Sequence, residues 1–202
     1  MINTVSDKIM GRIQQNGQRW VFTPTDFFDL GNRTAVYSAL VHLVKDNRIR
    51  RISRGLYDVP RYSQLWDEFC LPDDDAIIDA IARQAQCAIL PSGAMAANQL
   101  GLSLQVPAKL EYVWSKPTKK LQIGNLIFVF RYAPQSWVAN CGHSIAGVIL
   151  QALDWLGVNS IDYSTVTQLA RFSSKLSKRD RELLRANAPD WVVPIINRVA
   201  LT

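Results

Sequence analysis

The sequence predicts an α+β chain in two parts, residues 1–61 and residues 62–202. Three observations carry that expectation. Apolar residues recur at helical spacing as far as Val44, then give way to two short β-type runs around a glycine turn. Further on, strand-like stretches at 110–114 and 126–132 precede a helical end that begins near Ser144. Charge follows the same division. Residues 1–61 hold ten Lys and Arg against five Asp and Glu, whereas residues 62–202 hold thirteen against twelve.

In the first part, Val5, Ile9 and Ile13 recur every four residues, so Thr4 to Asn16 reads as a helix closed by Gly17. Trp20-Val21-Phe22 is a short extended segment. Thr23 is an N-cap candidate, Pro24 suits the first helical position, and Asp26 completes a capping-box variant. Phe22 and Phe27 can close a hydrophobic staple, and this second helix should run to Leu30-Gly31. Asn32 caps a third helix through about Asp46, with Val36, Leu40, Leu43 and Val44 on its inner face. Thr34, Ser38, Val41, His42 and Lys45 fall on the opposite face, with Arg33 and Tyr37 at its shoulders. Two strands at 48–52 and 56–59, joined by Ser53-Arg54-Gly55, form a hairpin against which Tyr37 is expected to be partly buried. Helix, turn, helix and basic hairpin is the order of a winged helix-turn-helix, whose last helix enters the major groove of DNA. The expected DNA-binding residues are therefore Arg33, Thr34, Tyr37, Ser38, His42, Lys45, Arg50, Arg51 and Arg54. The arginines on the hairpin would meet phosphates or the minor groove, while Thr34, Ser38 and His42 could read base edges.

The second part reads as a mixed α/β domain. Pro60 to Pro72 looks like a connector whose Leu65, Trp66 and Phe69 pack against something. Asp73-Asp74-Asp75 opens a helix through about Ala85, where carboxylates suit the positive end of the dipole. A strand at 87–90 and a small-residue helix ending at Gly101 come next, ahead of the two later strands. Helices are expected at 144–156, 163–172, 178–186 and 191–200.

Composition narrows the function classes. With 48% apolar and 20% charged residues the chain is of globular type, and its longest apolar stretch, 145–150, is far below the roughly 18–20 residues of a membrane span. The first residues lack a basic segment followed by an apolar one, so no signal peptide is expected. Three irregularly spaced cysteines fit reduced thiols in a cytoplasmic protein. Phosphate-loop, dinucleotide, nucleophile-elbow and zinc-protease motifs are absent. Ser92 with His143 and an Asp, or Cys141 with His143 around a metal, lack the further partners such chemistry needs. No catalytic residue, metal or cofactor is expected, and no enzyme.

One resemblance can be stated on these residues. Asp26-Phe27, the run 36–43 and the segment Ile49-Arg50-Arg51-Ile52-Ser53-Arg54-Gly55-Leu56-Tyr57 resemble the winged-helix domain of AbiEi-type antitoxins of type IV toxin–antitoxin systems. Leu90-Pro91-Ser92-Gly93-Ala94, 97–102 and Gln105-Val106-Pro107 resemble a subgroup of bacterial proteins carrying that domain. The resemblance implies a regulator that represses its own operon by binding double-stranded operator DNA, in a setting of phage defence. It also implies a nucleotidyltransferase-like toxin, countered functionally rather than through a stable complex, and no membrane partner. Two other readings stay open: a nucleic-acid-processing enzyme, and a ligand-sensing regulator with its sensor in the second part. The operator, the oligomeric state and the presence of a toxin gene nearby are not legible in the sequence.

Overall fold

The computed structural model describes residues 4–65, 67–105, 109–142 and 144–200. The expectations that fall on Trp66, Val106, Pro107 and His143 lie outside the described residues. Helices and strands are mixed throughout, as an α+β chain requires. Contacts group the chain into two units: residues 1–86 with 123–125, and residues 87–122 with 126–202.

In the first unit, helix α1 (Val5–Asn16) is capped by Thr4 in a reciprocal capping box with Asp7, and ends at Gly17, whose φ of 84° favours glycine. A 3₁₀ turn (Pro24–Phe27) leads to helix α2 (Arg33–Lys45), with the Asn32 side chain accepting from the amide of Ala35 at 2.9 Å. The expected second helix is thus one turn, not a helix to Leu30. Arg12 donates to the carbonyl of Asp26 at 2.6 Å, and the carbonyl of Phe27 accepts from Leu30 in a short-range turn. The bond from Leu30 spans three residues, so the chain closes a tight turn there in place of a further α-helical turn. The Thr23–Asp26 capping box is present, and Phe22 and Phe27 meet edge to face at 5.5 Å.

Strands β1 (Arg50–Ser53) and β2 (Leu56–Asp58) form an antiparallel hairpin, turning at Arg54-Gly55 with Gly55 at φ 77° and an irregularity between Arg51 and Ser53. Phe22 adds a third, bridge-length strand by exchanging two 2.9 Å backbone bonds with Tyr57. Ile9, Ile13, Phe22, Phe27, Val36, Leu40, Leu43, Ile49 and Tyr57 form the shared core. The stretch expected as a connector is a second hairpin, β3 (Arg61–Ser63) and β4 (Glu68–Cys70), on which Tyr62 and Phe69 stack edge to face while remaining exposed. Helix α3 (Asp74–Ala85) belongs with this unit. Its Arg83 donates to the carbonyl of Val21 at 2.7 Å, pairs with Asp26 at 3.1 Å, and lies over the ring of Trp20. The contact division therefore falls after Gln86, and the sequence boundary at 61/62 lies inside the first unit.

The second unit centres on a sheet of order β5 (Ile89–Pro91), β6 (Leu110–Trp114), β8 (Leu126–Tyr132) and β7 (Lys119–Ile123). β5 runs antiparallel to β6, and β6 parallel to β8. Helices α4 (Gly93–Gln99), α5 (Ser136–Asn140), α6 (Ile145–Leu156), α7 (Tyr163–Ala170), α8 (Lys178–Asn187) and α9 (Val193–Ala200) complete it. α6 is buried along nearly its whole length, and small residues let α4 lie close to it. A Cβ on Gly93 would stand 2.2 Å from the Cβ of Trp155, and one on Gly147 would stand 2.8 Å from a methyl of Leu90. Among the described residues no helix is long and apolar enough to cross a membrane.

Candidate nucleic-acid interface

The burial of α2 divides the helix cleanly. Val36, Ala39, Leu40 and Leu43 are buried, while Arg33, Thr34, Tyr37, Ser38, Val41, His42 and Lys45 are exposed. Those seven positions recur at intervals of one, three and four, so they make one continuous stripe along the helix. The helix contains no Asp or Glu, and its first turn carries Arg33 where the helix dipole would favour an acid. The stripe is therefore mostly polar and has no carboxylate within the helix, with Arg33 at its near end and Lys45 beside the exposed C-cap Asp46 at its far end.

Phe28 sets the geometry at the near end. The guanidinium carbon of Arg33 lies 5.2 Å from the centre of its ring, and Tyr37 lies against the same ring at 6.2 Å. Tyr37 is half exposed, and the ring it rests on is Phe28, in the turn before α2, where the sequence had suggested the β1–β2 hairpin. On the hairpin itself, Arg51 and Arg54 are exposed. Arg51 makes a long 3.4 Å bond to the carbonyl of Ser53.

Arg50 is different, and corrects its placement among the phosphate-contacting residues. Its Nε and Nη2 donate to the two oxygens of Asp58 at 3.0 and 2.6 Å, and Nη2 also donates to the carbonyl of Cys70 at 2.8 Å. The bond to Asp58 raises the Arg50 pKa further above its ordinary value. Asp58 is 4% exposed, so this guanidinium neutralises an otherwise buried carboxylate and ties β1 and β2 to β4. The alternation in β1 explains the split. Arg50 faces Asp58 across the ladder, and Arg51 points the other way. Two further exposed positions lie beside the candidate residues: Val41, on the outer face of α2 as its spacing predicts, and Arg48 just before β1, which the basic run 48–51 signals.

Charge distribution changes once the packed units are known. The first unit holds eleven Lys and Arg against eleven Asp and Glu, and the second holds twelve against six. β4, the turn before it, α3 and its N-cap Asp73 bring six acids to the first unit, with Asp73 lying 3.6–3.7 Å from Arg61 and Arg19. What distinguishes the α2 stripe is thus local separation of charge, not an excess over the whole unit.

The remaining candidates for chemistry have structural partners. Ser92 caps α4 by accepting from the amide of Met95 at 3.5 Å. Burial pushes the Cys141 thiol up to about 11, with Asp180 adding to the effect, so at neutral pH it stays protonated and is a poor nucleophile or ligand. Among the described residues no three His, Cys, Asp or Glu side chains group as metal ligands. An apolar void in the second unit, lined by Ile149, Leu153, Leu169, Leu176, Leu184, Ile195 and Ile196, measures about 10 Å³, which is too small for a metabolite.

Residues 8–182 match a family of unknown function, DUF6088, and the chain belongs to that family. No curated protein matches it.

Proposed function

We propose that the chain is a DNA-binding transcriptional regulator whose first unit works as a winged helix-turn-helix, with α2 as the recognition helix and the β1–β2 hairpin as the wing. The observation that carries this reading is the acid-free exposed stripe of α2 together with the exposed Arg51 and Arg54. The order of elements supports it, as does the bridge from Phe22 to Tyr57, which backs the hairpin as a third strand. Arg33, Lys45, Arg51 and Arg54 neutralise phosphates, while Thr34, Ser38 and His42 offer hydroxyl and imidazole groups to base edges. The resemblance to AbiEi-type antitoxins extends the proposal to repression of its own operon, with a nucleotidyltransferase-like toxin as the functional counterpart.

A gel shift on the DNA upstream of the protein's own gene tests the reading. Arg51→Ala/Arg54→Ala should weaken binding by about ten-fold or more and flatten the log–log salt dependence by roughly 0.9 per lost phosphate contact. Arg50 is left intact, because losing its pairing with Asp58 would destabilise the unit being tested. Binding by the double variant at wild-type strength and salt slope would remove the hairpin from the interface, and no shift at low salt with wild type would end the reading.

A further inference from the structure

The second unit carries the chain's net positive charge, and most of it lies on one short stretch. Residues 171–185 hold six Lys and Arg against two acids, a net +4 out of the +6 of the whole unit. Helix α8 buries Leu184 and turns Lys178, Arg179, Glu182 and Arg185 outward. At 100° per residue these four span a single exposed arc on the side away from Leu184. Of the two acids, Asp180 is directed into the cap, where it accepts from the backbone amide of Ser177 at 2.9 Å, leaving Glu182 as the one carboxylate on the arc. Arg181 donates to the carbonyl of Ser173 at 2.9 Å and so holds the 3₁₀ turn Ser173–Lys175 against the helix. That turn adds exposed Lys175, which lies over the ring of Phe172 at 5.4 Å. A helix placing Lys178 and Arg179 in its first turn works against its own dipole. Their cost to the helix is offset when an anion lies over them.

We propose that the outer face of α8 and the 3₁₀ turn before it form a second duplex-binding surface, gripping phosphates through Lys175, Lys178, Arg179 and Arg185. This rests on the reading of the chain as a DNA-binding protein, and adds that its second unit contributes affinity without sequence preference. No base-reading group is needed there: cations spaced along a helix match the regular charge of the phosphate rails and release counterions on contact.

The test uses the full chain and a mixed-sequence duplex of about 40 base pairs, with binding read by fluorescence anisotropy over a range of NaCl concentrations. The variant Lys175→Gln/Lys178→Gln/Arg179→Gln/Arg185→Gln should bind about ten- to hundred-fold more weakly near 0.1 M salt, with a log–log slope shallower by roughly 2–4. Its melting temperature should stay at the wild-type value; if it falls, the pairs Lys178→Gln/Arg179→Gln and Lys175→Gln/Arg185→Gln are measured separately, each losing about half the slope change. A wild-type slope in the folded variants, while Arg51→Ala/Arg54→Ala loses binding, overturns the second surface and leaves the DNA-binding reading standing. Absence of duplex binding by wild type at low salt overturns both. Binding of wild type to phosphatidylserine vesicles that the neutralised variant loses, with duplex affinity unchanged, assigns the patch to lipid and also overturns the proposal.

Discussion

At Arg50 a guanidinium meets a carboxylate that has almost no water around it. Its chain neighbour Arg51 faces solvent, so two adjacent arginines in one basic run do opposite work. Composition and spacing could place both on a hairpin, but not say which side of the ladder held Asp58, since a one-residue shift in register exchanges the two faces. Removing Arg50 strands the Asp58 charge. Arg50→Ala should therefore destabilise the first unit by about 3 kcal/mol, the lower part of the range for breaking a buried pair because Arg50 keeps some solvent. Arg51→Ala should stay within about 0.5 kcal/mol of wild type. Urea unfolding of the two variants measures this difference; equal midpoints would mean that the Arg50–Asp58 pair contributes nothing to the fold.

Elements whose signals are local were legible. Thr4 and Gly17 bracket α1, Asn32 caps α2, and Arg54-Gly55 turns the hairpin, each where a short-range backbone demand names the residue. The element after Thr23 is legible at its start and not at its end, because the tight turn at Phe27 is accompanied by bonds from Arg12, which is distant in sequence. The hairpin at 61–70 carries no such signal: its pairing of Tyr62 with Phe69 leaves both rings exposed, so no buried alternation marks it. The small helix after Ser92 is legible from its residues, whereas its packing partner is not. Gly93 stands where the side chain of Trp155 crosses α4, and Ser92 is a cap, so the segment resembling family motifs is a packing device. Gly93→Ala should destabilise the second unit by about 1–3 kcal/mol, the usual cost of forcing an extra methyl into a packed contact. Gly11→Ala, with open space around its Cβ, serves as the control in the same thermal melts, and an equal effect at both positions would discount the close approach.

For the molecule as a whole, the α+β class and the order of elements were within reach of the sequence, and the partition of charge was not. The excess of cations over residues 1–61 is cancelled by the acids of β4, the turn before it, α3 and its N-cap Asp73, which the chain folds into the same unit. The proposed DNA contact depends on what one face presents, and no Asp or Glu lies within α2. The face in question is the exposed stripe of the first unit, proposed to touch duplex DNA. Photo-crosslinking tests it most directly: a benzophenone side chain is placed in turn at Ser38, on the stripe, and at Gln15, exposed on α1. With the fragment upstream of the gene, a protein–DNA adduct is expected from position 38 and little from position 15; an adduct from position 15 with none from position 38 would overturn DNA contact through α2.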